Sequence, residues 1–332
     1  MLKILKNIFD NTYIQIAGLL ALILSPFADA IGGNLYWVLS GMLFILFLFG
    51  IYDENKKQKK FQEEIVHIPI VVKVDDGPNL KYVMNNLIKQ IEKEYGIENY
   101  RYDLQKYLEI NLDDFIYEYN GSIYEFDRLM SFVRIIKYDI NRLERRLDGR
   151  VKYHLAYYKK PSIGFILGTI FRTEGLVVYQ NNDFENIFCK VADINSRRYK
   201  ERVDEFKKYD VIYDIKDKNL KDILIVINSA SHLVNTNTSS LNRYENKITI
   251  TLKENGTIPY ENDWVEYASE IYTIINKAQT NFSHITIAHA MPEALAVILG
   301  MGLENYWNID ITQYDDGDYK YIFTMNKIKF YF

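Results

Sequence analysis

FSHITIAHAMPEALAVILGMGLENYWNIDITQYD, residues 282–315, is the stretch whose reading decides the fold. An alternating apolar run, Ile285 to Ala290, stops at Met291-Pro292. An Ala/Leu-rich stretch from Glu293 to about Leu303 predicts a helix, and Asn308–Tyr314 predicts the next strand. Strand, proline-started helix, strand is an α/β unit. Its junction is where such proteins hold phosphates, because the first N–H groups of a helix lack partners inside it.

Working outward, the same order appears earlier in the chain. YHLAYYKKPSIGFILG (153–168) can be laid on ITIAHAMPEALAVILG (285–300); both end in Ile-Leu-Gly, and the two are out of step by one residue at the proline. Before each lies another strand-like run, His67–Val74 and Asp222–Asn228, and after each come two more, Leu176–Tyr179 with Ile187–Val191 and Ile309–Gln313 with Lys320–Met325. Leu80–Tyr95, Phe126–Leu147 and Glu261–Gln279 carry helical periodicity, and residues 97–150 read as a mostly helical, polar insertion. The soluble part therefore reads as two related α/β halves, 61–195 and 196–332, each with a mostly parallel sheet that binds ligands at the C-terminal ends of its strands.

Four loops are then expected to converge: 75–79, 159–161, 229–232 and 289–292. With Tyr158 at the preceding strand end, they supply Asp75, Asp76, Gly77, Lys159, Lys160, Ser229, Ala230, Ser231, His232, His289, Met291 and Pro292. The lysines can pair with phosphate, and the serines and His232 can hydrogen-bond phosphate or ribose. Each also has a plainer use: turn and cap chemistry for the serines, solvated surface charge for the lysines, a core hydrogen bond for His289. Asp75-Asp76 is read more simply as a strand-ending turn than as an acid pair. No GxSxG, HExxH or Walker motif is present, and no His/Cys cluster has metal-ligand spacing.

The N-terminus is of a different kind. Tyr13–Ile31 is a 19-residue, mostly apolar run, and Leu35–Tyr52 has 18 residues and no charge. As a helix the second spans roughly 27 Å, close to a bilayer core. IGGN lies between them as a tight turn. Lys3 and Lys6 precede the pair, Lys56, Lys57, Lys59 and Lys60 follow it, and the connection has no Lys or Arg. Positive residues stay on the cytoplasmic side, so residues 1–60 predict a two-span hairpin with both ends in the cytoplasm. Ala28-Asp29-Ala30 resembles a signal-peptide cleavage site, but a second span directly after it argues for an uncleaved hairpin. One cysteine, Cys189, excludes an internal disulfide and fits a reducing compartment; a net charge of −4 gives no global pull towards DNA.

The C-terminal unit resembles the signature of SAVED domains. Ala290-Met291-Pro292-Glu293-Ala294-Leu295-Ala296, then Gly300, and finally the aromatic-acidic pair Tyr314-Asp315 carry the resemblance, with ILIVINSAS and Asp263-Trp264 before them. The first half departs from the pattern, reading Pro161-Ser162-Ile163-Gly164 where the Ala-Leu-Ala core is expected. The resemblance implies two fused CARF-like (Rossmann-like) halves that bind a cyclic oligonucleotide, adenine-containing, made during phage infection by a cyclic-oligonucleotide synthase (a nucleotidyltransferase) or by a type III CRISPR complex. It implies no cofactor, no catalytic residue and no DNA partner. With the N-terminal hairpin it implies a transmembrane effector of a CBASS-type system, located in the bacterial inner membrane, whose homo-oligomerisation on ligand binding disrupts the lipid bilayer. A membrane-bound ring nuclease, and a type III CRISPR-associated scaffold recruiting another effector, are the alternatives.

Overall fold

The computed structural model describes residues 11–27, 33–172, 175–182, 187–217, 219–254 and 256–331. Lys3, Lys6, the 28–30 cleavage-like triplet and the start of the IGGN turn lie outside the described residues. The first apolar run forms α1 (Thr12–Leu24), capped by Asn11, whose side-chain oxygen accepts the Tyr13 N–H at 3.0 Å. The second forms α2 (Gly33–Glu63), one unbroken helix. α1 packs against α2 with Ile14 beside Gly50, where a Cβ would come within 2.5 Å of the Ile14 side chain. Among the described residues, Trp37–Lys59 is the one helix long and apolar enough to cross a membrane. The expected two-span hairpin is matched by this one helix only, since α1 is too short. α1 has 13 residues, which cover only about 20 Å.

Two sheets follow, one in each of the two expected halves. Through the first, the chain runs in order β1 (Val66–Val74), α3 (Leu80–Tyr95), α4 (Tyr100–Leu108, which groups with α2 instead), β2 (Ile116–Tyr119), α5 (Phe126–Arg146), β3 (Val151–Tyr158), α6 (Pro161–Ile170), β4 (Gly175–Asn182) and β5 (Ile187–Ile194). The second contains β6 (Tyr209–Asp214), β7 (Asp222–Asn228), β8 (Lys247–Leu252), α7 (Trp264–Asn281), β9 (His284–Ala290), α8 (Glu293–Gly302), β10 (Ile309–Asp315) and β11 (Asp318–Thr324). The strand orders are β2-β1-β3-β4-β5 and, read from the matching edge, β6-β8-β7-β9-β10-β11. Leaving β6 aside, these are the same order, each closed by an antiparallel hairpin, β4–β5 and β10–β11. The internal repeat read from the sequence is thus a repeat of topology.

Local chemistry explains the elements. α3 buries Leu80, Val83, Met84, Leu87, Ile88 and Ile91 at helical spacing. It starts at Asn79, whose side chain accepts from Lys81 and Tyr82, and ends at Gly96 with φ 62°. Both are the cap residues a helix favours. β7 is apolar on both faces, Ile223 to Ile227 all buried, as a central parallel strand requires. The insertion 97–150 is not wholly helical: it carries β2, which pairs in parallel with β1 from Val71↔Ile116 to Val74↔Tyr119.

The two halves join through α6 and α8. Both are apolar around their whole circumference and almost wholly buried, as core helices are. They meet at the two Ile-Leu-Gly repeats. A Cβ on Gly168 would sit 2.1 Å from the Val297 carbonyl oxygen, and one on Gly300 would sit 2.2 Å from the Phe165 carbonyl oxygen. Only glycine allows backbones this close.

The chain divides into two compact units. One takes α1, α2 and the segment 99–111 with α4; the other takes residues 67–98 and everything from Leu112 onward, with both sheets.

Candidate functional site

Strand order reverses at β1/β3 in one sheet and at β7/β9 in the other. Such switch points open a crevice beyond the C-terminal strand ends. The loops at these two points are the ones expected from the sequence, and the structure shows how each side chain is used.

The first-half loops meet directly. Lys160 Nζ lies 3.6 Å from Asp75 Oδ2, both groups part-exposed. The Tyr158 ring covers Gly77 so closely that a Cβ there would come within 2.5 Å of it. Asp75, Lys159 and Lys160 all have positive φ, 66°, 65° and 60°. Non-glycine residues adopt this conformation at a cost of about 1–2 kcal/mol each, and such strain concentrates at functional sites. The paired left-handed lysines also account for the one-residue mismatch in the sequence repeat, because the second half has only Met291 between Ala290 and Pro292. Tyr157 donates its hydroxyl to the Lys160 carbonyl at 2.7 Å and holds the turn. Asp76 is exposed.

The two helix starts differ. α8, offered by the sequence as the phosphate site, is already satisfied from within. Gln180 of β4 accepts the Ala294 N–H at 3.0 Å and donates to Glu293 Oε2 at 2.8 Å. Met291 is buried and Pro292 half-buried. Glu293 puts a carboxylate of the protein's own where an anion would otherwise sit. α6 has no side-chain cap; its Ser162 N–H makes only a long contact, 3.4 Å, to Gln313 Oε1, and two lysines precede it. The basic, weakly capped terminus belongs to the first half.

Two buried polar atoms close to that terminus have no partner among the described residues: Ser162 Oγ and His289 Nε2. His289 is 5% exposed and lies beside Phe165 of α6, ring centroids 5.5 Å apart. Burial lowers its pKa to about 4, against a hydrogen bond to the Thr312 backbone that raises it, so the ring is neutral at pH 7. An orphaned buried polar atom is costly in a native fold and points to a group that pairs with it.

In the second half, Ser229 is fully buried. Its N–H donates to the Ala290 carbonyl at 2.7 Å and its hydroxyl to Tyr209 Oη at 3.0 Å, so it ties β7 to β9. Ala230 packs against the cluster of Leu224, Val226, Ala288 and Tyr319. Ser231 and His232 stand exposed.

Residues that the sequence reading did not single out complete the edge. Tyr124 donates to Asp315 Oδ2 at 2.6 Å, and Lys320 reaches Asp315 at 3.2 Å and Asp316 at 2.7 Å. The Tyr124 hydroxyl, with Lys320 and Lys160, holds the Asp315 carboxyl below its ordinary pKa. Asp318 accepts from Ser239 and Ser240, each at 2.5 Å, and anchors the long loop after β7. Only the Tyr314-Asp315 pair left a trace in the sequence. A cavity of about 620 Å³ beside α7, lined by Arg198, Glu201, Arg202, Lys207, Lys208 and Glu270 among others, contains none of these groups. Glu270 there is engaged by the backbone N–H groups of Lys207, Lys208 and Tyr209. Among the described residues no group of three or more His, Cys, Asp or Glu is placed to hold a metal ion.

A duplicated α/β scaffold thus carries its polar loops at two paired switch points, beyond the C-terminal strand ends where such sheets take ligands. The chain belongs to the SAVED family: the model of that family, SMODS-associated and fused to various effectors sensor domain, matches residues 140–326, more than half of the chain. Similar solved structures include the Acinetobacter baumannii Cap4 SAVED/CARF-domain containing receptor with the cyclic trinucleotide 3′3′3′-cAAA, at TM-score 0.45 and 13% identity, covering 95% of this chain and 76% of that one. The same receptor with 2′3′3′-cAAA gives TM-score 0.46 and 11% identity, covering 88% and 59%. The Moraxella osloensis Cap4 SAVED/CARF-domain containing receptor gives 0.41 and 12%, covering 85% and 54%. Comparison with curated proteins found no match.

Proposed function

We propose that this protein is a membrane-anchored receptor for a cyclic oligonucleotide second messenger in anti-phage defence. The observation that carries the proposal is the first-half site. Two left-handed lysines precede a helix start without a side-chain cap, and the buried, unpartnered His289 Nε2 and Ser162 Oγ lie close by. Lysines and unpaired helix N–H groups suit phosphates; a neutral imidazole nitrogen and a hydroxyl suit a base edge or ribose. Adenine-containing rings are the first ligands to test, and the site binds without cleaving.

In this reading the N-terminal hairpin lies in the inner membrane with both termini and the sensor domain cytoplasmic. Ligand binding brings several copies together, since α1 and α2 of one protomer enclose no aqueous path and several hairpins side by side can. A head-to-tail contact between non-identical halves gives open chains rather than closed dimers. A synthase of cyclic oligonucleotides is the functional partner.

The test uses the full chain in detergent and in dye-loaded liposomes. Calorimetry with 3′3′3′-cAAA, 2′3′3′-cAAA and cyclic tetra-adenylate is expected to give saturable binding, with species growing in light scattering and dye release on addition. No binding by any of the three overturns the ligand assignment. Binding by a species that stays monomeric overturns the assembly step, and linear products in the mixture establish a ring nuclease instead.

A further inference from the structure

α4 is the feature the receptor reading leaves unused. Its sequence lies between α3 and β2 of the sheet-bearing unit, yet it groups with α2 in one compact unit. The apolar part of α2 ends near Tyr52, and the helix continues to Glu63, roughly 17 Å further. α4 packs on that charged extension.

The contact is built around a buried ion pair. Lys106 Nζ lies 3.0 Å from Glu54 Oε1 and 3.1 Å from Oε2, with the side chains 8% and 5% exposed. Phe61 stacks on both Tyr100 and Tyr107, ring centroids 6.2 and 5.4 Å apart. Lys106 lies 5.1 Å from the Tyr107 ring centroid. A buried pair contributes little net stability, but it penalises every other register, because sliding either helix strands a charge away from water.

α4 is joined to the candidate site by a short continuous path. It is bounded by two left-handed residues, Asn99 at φ 58° and Glu109 at φ 52°, and the Ile110 N–H closes back on the Leu104 carbonyl. The turn Leu112–Phe115 leads straight into β2. β2 is a four-residue edge strand that pairs with one strand, β1, and its last residue, Tyr119, accepts the Asp75 N–H at 3.0 Å. Asp75 is the residue facing Lys160 in the ligand loop.

We infer that α4 is a coupling clamp: it transmits ligand-induced movement of the Asp75 loop, through β2, to the membrane helix, with the Lys106–Glu54 pair as its grip. The inference rests on the receptor reading above. Coupling of this kind needs an element that both sites bias. The short edge strand is the element most easily shifted, and the ion pair gives its far end a discrete register.

The experiment uses the full chain in dye-loaded liposomes with 3′3′3′-cAAA and cyclic tetra-adenylate as probes. Binding and release are measured separately on wild type, Lys106→Glu and the swap Lys106→Glu/Glu54→Lys. Lys106→Glu is expected to keep the probe affinity within about twofold and to lose at least tenfold in dye release; the swap restores at least half of the release. A purely structural role moves binding and release together, and that result overturns the clamp, as does undiminished release by Lys106→Glu or a swap that restores nothing. Should Lys106→Glu fail to accumulate in membranes, Phe61→Leu, which keeps the charge pair and removes the ring stacking, is read against the same split. Failure of wild type to bind either probe overturns the receptor reading and the clamp with it, whereas intact binding and release in both variants removes the clamp alone.

Discussion

Gly300→Ala is the substitution for which local and tertiary reasoning give opposite signs. In an isolated helix, alanine is favoured over glycine by about 1 kcal/mol. Here the new methyl would lie 2.2 Å from the Phe165 carbonyl oxygen and 2.7 Å from its Cα, both backbone atoms that no rotamer change can move. Ordinary contact begins near 3.4 Å, so α6 and α8 must separate by roughly 1 Å over a fully packed interface. Overpacking of this kind costs about 1–3 kcal/mol, and two backbone clashes put it at the upper end, leaving a net loss of about 2 kcal/mol after the propensity gain. Gly168→Ala should match it, with 2.1 Å to the Val297 carbonyl oxygen, while Gly164→Ala, with 3.0 Å to Ala296 Cβ, should cost far less. The assay is urea unfolding of the full chain in detergent, followed by fluorescence of the buried Trp264 and Trp307. α6 also carries Lys159 and Lys160 at its start, so Gly300→Ala should weaken cyclic-oligonucleotide binding where Gly164→Ala does not. A Gly300→Ala protein as stable as wild type, or more so, would refute the helix-to-helix account of how the halves are joined.

Replacing Lys159 and Lys160 with Glu should cost about 2–5 kcal/mol of ligand affinity if either pairs with a phosphate while buried, against about 1 kcal/mol for Ser231→Ala; unchanged calorimetric affinity removes the lysines from the site. His67, His154 and His289 are all held below their ordinary pKa, chiefly by burial, and His67 Nδ1 lies 2.9 Å from His154 Nε2. The unfolded chain takes up protons below about pH 6.5 that the folded chain refuses, so stability is complete above that pH and falls on acidification. The slope is up to about 1.4 kcal/mol per pH unit for each histidine, and denaturation midpoints that stay flat from pH 7 to pH 5 refute it. Glu270→Ala strips the partner from the N–H groups of Lys207, Lys208 and Tyr209. It should cost about 3 kcal/mol, read as a lowered urea midpoint; a loss below about 1 kcal/mol shows those groups reach water instead.

Much of the architecture is encoded over distances of a few residues and was legible for that reason. The α3 periodicity from Leu80 to Tyr95, the apolar β7 run from Asp222 to Asn228, and the Lys160-Pro161 and Met291-Pro292 helix starts are local patterns, and the structure places elements there. β2 was missed because four residues, Ile116–Tyr119, are too few for an alternating pattern to stand out from a helical stretch. β6 was missed because an exposed edge strand, with Ile212 and Tyr213 facing solvent, has little apolar alternation to read. β8, Lys247–Leu252, does alternate, and its signal was there to be taken.

The sequence by itself determined the repeat, the order of the parts and the position of the loops, because strand and helix periods and turn residues act between neighbours in the chain. Tertiary structure alone decided which loop is open. The start of α8 looks like an anion site in isolation; it is satisfied by Gln180, 114 residues away from Ala294, while the start of α6 is left basic and uncapped. It also decided that His289 Nε2 and Ser162 Oγ would be buried without partners, and that α4 would group with α2 rather than with the sheets on either side of it in sequence. Hydrogen-bond satisfaction and burial depend on which distant segments meet, and no property of neighbouring residues carries that information.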